Sequence, residues 1–245
     1  MHEMGVISID QLEKLADQNG AIKNGSLVDT NILISVSLPI DPKNSAAEEL
    51  VQRLAKLKIP LYSNVNIRAE FLEIQRRVLI PETLIEFYES NNEVHDEVLT
   101  AKLRSVQSSY REAIKNKKVY KFSDDRIKEF RSLLSTYTFG NTDAWMYFCE
   151  NFLAPQLESV WDEVVQICRL NFIKIRDGEQ HPLLTTKVSW DGVTHIMGKY
   201  GLGSADSMIL NLLLSSTLEV VATADGDIQY IAESLGDQGK FVLEI

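Results

Sequence analysis

Two short apolar runs in this chain each lead up to an aspartate, and that arrangement limits the folds open to it. Leu27-Val28 ends at Asp29, and LEVVAT, rich in β-branched residues, runs up to Asp225. Pro60-Leu61-Tyr62-Ser63 reads as a further strand, followed by a helix with Ile67, Phe71, Ile74 and Val78 on one stripe. Phe241-Val242-Leu243 reads as a last strand, after a short helix around Gln229 to Ser234. Strands that alternate with helices imply an α/β fold with a parallel sheet and right-handed crossovers. In such sheets sites lie beyond the carboxyl ends of the strands, the position of Asp29 and Asp225.

The rest of the chain fills in around this rhythm. The first 23 residues read as a short helix with Leu12 and Leu15 on one face, ending in an Asn24–Gly25 turn. Pro39 and Pro42 break the chain, and Ser45 with Glu48 has capping-box spacing ahead of Ala47, Leu50, Leu54 and Leu57. Pro81 is expected to end the helix before it. From there to Thr194 helix follows helix with few strand signals. Gly201 and Gly203 precede Ser204, the expected N-cap of ADSMILNLLLSS. The expected organisation is an N-terminal helical extension (1–24), an α/β core (25–80 and 195–245) and a large all-helical insertion (81–194).

Composition excludes several classes. With 44% hydrophobic and 24% charged residues the chain has an ordinary globular make-up, and its length can bury a full core. No apolar run reaches the roughly 18 residues that span a bilayer, and the charged start has no signal-peptide core, so a cytoplasmic location is expected. Cys149 and Cys168, with four histidines in the chain, support neither a disulfide framework nor a zinc site. The net charge of −10 argues against a generic polyanion-coating protein, while leaving room for a local basic patch. The isolated His95, His181 and His195 and the lack of a G-x-S-x-G elbow leave triad chemistry unsupported. The run Gly198–Gly203 lacks P-loop order and reads as turn and cap glycines.

Chemistry is carried by acidic motifs in fixed order: Asp29 in SLVDTNIL, Glu70 in NIRAEFLEI, Asp206 in GLGSADSMIL, and Asp225 with Asp227 in VVATADGDIQYI. Unpaired carboxylates do not crowd together without a counter-charge, so a divalent metal is the natural occupant. Magnesium and manganese prefer such hard oxygen ligands and can activate water at a phosphodiester. Thr30, Asn31, Ser204 and Thr223 suit outer positions that orient the carboxylates. Taken singly, each motif also reads as a plain strand end, helix first turn or surface residue, and Glu73 competes with Glu70 for the inward position.

VDTNIL (Val28–Leu33), RAEFL around Glu70, SADSMIL (Ser204–Leu210) and TADGDI (Thr223–Ile228) together resemble the PIN-domain family of metal-dependent ribonucleases. The resemblance covers Gly25–Val78 and Gly198–Ile245. It implies a doubly wound α/β fold, with a parallel sheet flanked by helices and an acidic site binding Mg2+ or Mn2+. By motif position it implies Asp29, Glu70, Asp206 and Asp225 as catalytic ligands and Asp227 as an auxiliary one. The long helical stretch departs from the small PIN toxins.

Residues Lys102 to Lys121 hold seven Lys/Arg against one acid, Glu112. Leu99, Leu103, Val106, Tyr110 and Ile114 form the buried stripe of that helix, and Arg104, Arg111, Lys115 and Lys118 share an adjacent face. Those four, with Arg68 beside Glu70, are the expected RNA contacts, a solvated helix face being the plainer reading. The leading expectation is an Mg2+/Mn2+-dependent endoribonuclease with RNA as substrate. The alternative is a catalytically weak PIN-like module whose helical insertion binds a protein partner, antitoxin-like or other; self-association is compatible with either. A phosphatase of the haloacid-dehalogenase type would need an Asp where Asn31 stands.

Overall fold

In the computed structural model residues 5–19, 22, 24–90, 97–174, 181–232 and 239–245 are described. His95, and Ser234 at the end of the expected last helix, lie outside them. The strands are β1 (Gly5–Ile7), β2 (Ser26–Val28), β3 (Leu61–Asn64), β4 (Thr138–Phe139), β5 (Thr142–Asp143), β6 (Asn171–Ile173), β7 (Val220–Thr223) and β8 (Phe241–Glu244). The helices are α1 (Ile9–Asn19), α2 (Thr30–Ser37), α3 (Asn44–Lys56), α4 (Val65–Ser90), α5 (Glu97–Lys115), α6 (Asp124–Leu134), α7 (Ala144–Phe148), α8 (Ala154–Cys168), α9 (Trp190–Tyr200), α10 (Ser204–Leu214) and α11 (Gly226–Ala232). A π-helical turn, Cys149–Leu153, joins α7 to α8.

The protein is an α/β fold whose main sheet has six parallel strands in the order β1-β8-β7-β2-β3-β6. The two central strands are apolar and buried, with Leu27, Val28, Val220, Val221 and Ala222 almost wholly out of water. That is the continuous apolar pattern of strands covered on both faces. Each such Val or Leu contributes about 1.5–3 kcal/mol by leaving water. Between β2 and β7 the chain order reverses: β3 and β6 lie on one side, β7, β8 and β1 on the other. A crevice at such a reversal is where open α/β sheets place ligands.

Two compact units emerge, one comprising Met1–Ser37, Lys43–Phe71 and Val164–Ile245, the other Leu38–Pro42 and Leu72–Glu163. The first holds the sheet. The N-terminal segment expected to be helical supplies β1, which pairs with β8, before it supplies α1. Likewise, the stretch expected to be an all-helical insertion returns to the sheet as β6. Three-residue strands at a sheet edge leave almost no periodic signal, which is why neither is legible. The second unit, Leu38–Pro42 with Leu72–Glu163, begins before and ends before the stretch 81–194.

That second unit is held by Ile80, Leu84 and Phe87 of α4, Leu99, Leu103 and Val106 of α5, Phe130 of α6 and Phe148 of α7. Phe87 meets the rings of Phe139, Phe148 and Phe152 edge-on at 5.5, 5.8 and 5.4 Å. Pro81 does not end its helix; α4 runs through it to Ser90. Proline has no N–H to give the carbonyl four residues back. The carbonyl of Arg77 takes the Phe122 N–H instead, at 2.9 Å. A distant segment thus fills the gap that proline opens. Two caps also differ from expectation. Lys43, not Ser45, precedes α3 and gives no side-chain cap; Asn44 there donates to the carbonyls of Ser35 and Val36. Gly203 precedes α10, making Ser204 its first residue. Among the described residues no helix is long and apolar enough to cross a membrane.

Candidate metal centre

The site begins at the C-terminal end of β2. Val28 pairs with Ala222, and the Asp29 N–H still donates to the Ala222 carbonyl at 3.0 Å, so Asp29 stands beside Thr223. The Thr223 hydroxyl donates to Asp29 Oδ2 at 2.6 Å, and the Asn31 amide donates to the same oxygen at 2.7 Å. Asp29 Oδ1 accepts the Thr30 N–H at 2.6 Å. Asn31 Oδ1 accepts the Ala224 N–H at 2.9 Å, tying the start of α2 to the end of β7. Thr223 Oγ1 in turn accepts the Asp225 N–H at 2.9 Å, and Asp225 Oδ1 accepts the Asp227 N–H at 2.7 Å. Three of the four hydroxyl and amide residues singled out in the sequence therefore orient these carboxylates. Ser204 is exposed and takes no part in this network.

Glu70 reaches the same corner from the second turn of α4, where the Thr30 hydroxyl donates to its Oε2 at 2.8 Å. Asp206, in the first turn of α10, is half-buried. Electrostatics links the groups. Burial lifts Asp29 to about 7 against the pull of its hydrogen bonds to Thr223 and Thr30, and the charges of Glu70 and Asp206 add to the rise. Burial also lifts Asp206 to about 6, with Asp225, Glu70 and Asp227 pushing the same way. Asp206 thus feels Asp29's neighbour Glu70 on one side and Asp225 and Asp227 on the other, which links the five groups through it.

Their donor chemistry, carboxylate oxygen throughout, suits a hard divalent cation. Their spacing is open: among the described residues no three His, Cys, Asp or Glu side chains stand close enough to hold an ion between them. The residues fit such an ion in kind and in mutual repulsion, and would have to draw in to hold it.

Sequence reasoning passed over Asn64. It ends β3, is fully buried, and its Oδ1 accepts the Ile67 N–H at 2.9 Å, capping the helix that carries Glu70. An Asn directly before an apolar-periodic helix is the signal that could have found it. Arg68 is exposed on α4, and Glu73 turns to Arg76 and Arg77 at 2.8 and 3.0 Å. Arg104, Arg111 and Lys115 are exposed on α5, whereas Lys118 lies past its last turn, so no single helical face holds all four. No known family, curated protein or solved structure matches the chain.

Proposed function

We propose that this protein is a PIN-like, Mg2+- or Mn2+-dependent endoribonuclease that hydrolyses RNA phosphodiesters at the Asp29 corner. The observation that carries the reading is the convergence, at the chain-order reversal between β2 and β7, of carboxylates from four separate elements, where burial first and then neighbouring carboxylate charge raise the proton affinity of Asp29 and Asp206. Asp29, Glu70, Asp206 and Asp225 would hold the cation, with Asp227 beside them. A bound divalent ion would offset their repulsion and supply a Lewis acid that activates water. Thr223, Asn31 and Thr30 fix the Asp29 carboxylate, so it is the carboxylates of the other elements that would draw in towards it around a cation. Thr30 also holds Glu70, so one residue orients two carboxylates.

The test is cleavage of a mixed, structured RNA pool with Mn2+ or Mg2+, against EDTA and the variants Asp29→Asn and Asp206→Asn. Metal-dependent cutting that drops by at least about 100-fold in either variant is the expected result. Undiminished cutting by both variants would sink the reading. The open carboxylate spacing favours a second reading, a PIN-like module of weak or no activity that binds a protein partner through its helical unit. It is selected if the folded protein neither cleaves RNA nor binds Mn2+ in calorimetry.

A further inference from the structure

The helical unit, Leu38–Pro42 with Leu72–Glu163, shows two kinds of cation. Arg76 and Arg77 share Glu73 and Asp124, Lys128 meets Asp125 at 3.6 Å, and Lys102 pairs with Glu129. Arg104, Arg111, Lys115, Lys117, Lys118 and Lys121 behave otherwise. All six are exposed, and among the described residues none has a carboxylate within ion-pair distance. Glu112 is the single acid from Lys102 to Lys121, in a chain of net charge −10.

The fold concentrates these cations. α5 spans about 16 Å from Arg104 to Lys115. After it the chain turns back sharply: Lys117 adopts φ 52°, and the Lys118 N–H donates to the Ala113 carbonyl at 2.9 Å. The returning segment then packs Tyr120 edge-on against Tyr110 at 6.2 Å and stacks Phe122 on Phe130 at 5.3 Å. The turn keeps Lys117 and Lys118 at the end of α5, and the Tyr120–Tyr110 contact brings the backbone that carries Lys121 back to its C-terminal half. One or two cations would serve the helix C-terminus. Six repel one another, and a polyanion relieves that repulsion.

The patch also limits the kind of partner. The apolar face of α5 is spent on the core through Leu99, Leu103 and Val106, so the helix has none left to insert into a bilayer. Ile114 is the one large apolar side chain exposed on the last turns of α5, short of the buried apolar anchors that centre a protein interface. Tyr110 and Tyr120 turn their rings to each other, which leaves charge, not base stacking, as the source of attraction.

We infer that the C-terminal half of α5 and the turn after it form a docking surface for the phosphate backbone of RNA, engaged by charge and without regard to base sequence. The choice of RNA rests on the hydrolase reading; the surface itself does not.

Binding is measured by fluorescence anisotropy with labelled oligoribonucleotides in EDTA, on the Asp29→Asn/Asp206→Asn background, so that cleavage plays no part. The triple variant Arg111→Gln/Lys115→Gln/Lys118→Gln should lose at least about 10-fold in affinity and reduce the slope of log K against log salt by about 2. A charge-matched control, Lys56→Gln/Lys187→Gln/Lys199→Gln in the sheet-bearing unit, should change neither, and homopolymers should bind within about 3-fold of one another. Equal losses in both triples, an unchanged slope, a strong homopolymer preference, or tighter capture by anionic phosphatidylserine vesicles would each overturn the surface. A wild type that binds through these residues yet never cleaves with Mn2+ leaves the surface standing and removes the hydrolase. Cleavage with an unaffected triple does the reverse.

Discussion

At the residue scale Asp29 sets up a measurable tension. Its carboxyl is only 3% exposed and binds its proton up to about pH 7, far above the ordinary range. The folded chain therefore holds a proton that the unfolded chain has lost between about pH 4 and pH 7. The contribution of this group to stability is full below pH 4 and falls as pH rises through that window, by up to about 4 kcal/mol. In EDTA, urea unfolding at pH 8 should show Asp29→Asn more stable than wild type, and the difference should vanish at pH 4. Mn2+ should restore wild type at pH 8 and leave the variant unchanged; a metal-insensitive wild type would speak against cation binding. Asp29 was legible because a short apolar run, Leu27-Val28, that stops at a carboxylate marks a strand end. Its supports, the Thr30 bond to Glu70 and the bridge from Asn31 to Ala224, span from 40 to 193 residues in sequence, and no local pattern encodes such a pairing.

Helix ends show how local signals are overruled. Helices α3, α5 and α8 finish with the same reversal, in which an N–H returns to the carbonyl five residues earlier: Ile59 to Leu54, Lys118 to Ala113, Leu170 to Val165. The left-handed position this requires is the usual place of glycine, yet Lys58, Lys117 and Arg169 occupy it at φ 59°, 52° and 49°. A side chain there costs about 1 kcal/mol. Lys58→Gly and Arg169→Gly should each stabilise the protein by about 0.5–1 kcal/mol in chemical denaturation, with additive effects. Reading these ends from sequence fails because no glycine announces them. The same holds at Pro81, where a helix stop is cancelled by a distant N–H from Phe122. At Gly25 the signal is true: φ is 117°, and a Cβ would fall 2.4 Å from the Pro60 carbonyl oxygen, which already accepts the Ser26 N–H.

On the scale of the whole molecule, the alternation of strands and helices revealed the central strands β2, β3, β7 and β8, and hence the corner where the carboxylates gather. It missed β1 and β6, whose places are set by neighbours far away in sequence. Position in the sheet predicts unequal tolerance to truncation. Removing residues 1–7 takes an edge strand, whereas removing Phe241–Ile245 takes β8 from between β1 and β7. Limited proteolysis should find the first variant folded with a lowered melting temperature and the second degraded throughout; equal resistance of the two would contradict the strand order.

The place of β8 also bears on how the chain is made. Every acidic group of the proposed site has been synthesised by Asp227, and still β1 has no strand partner among the described residues until β8 is made. An interrupted translation product would carry the whole acidic set without the finished sheet that supports it. Assembly of the sheet beneath the corner thereby waits on β8, and a fragment cut short before Phe241 should be digested by a protease that the full sequence resists.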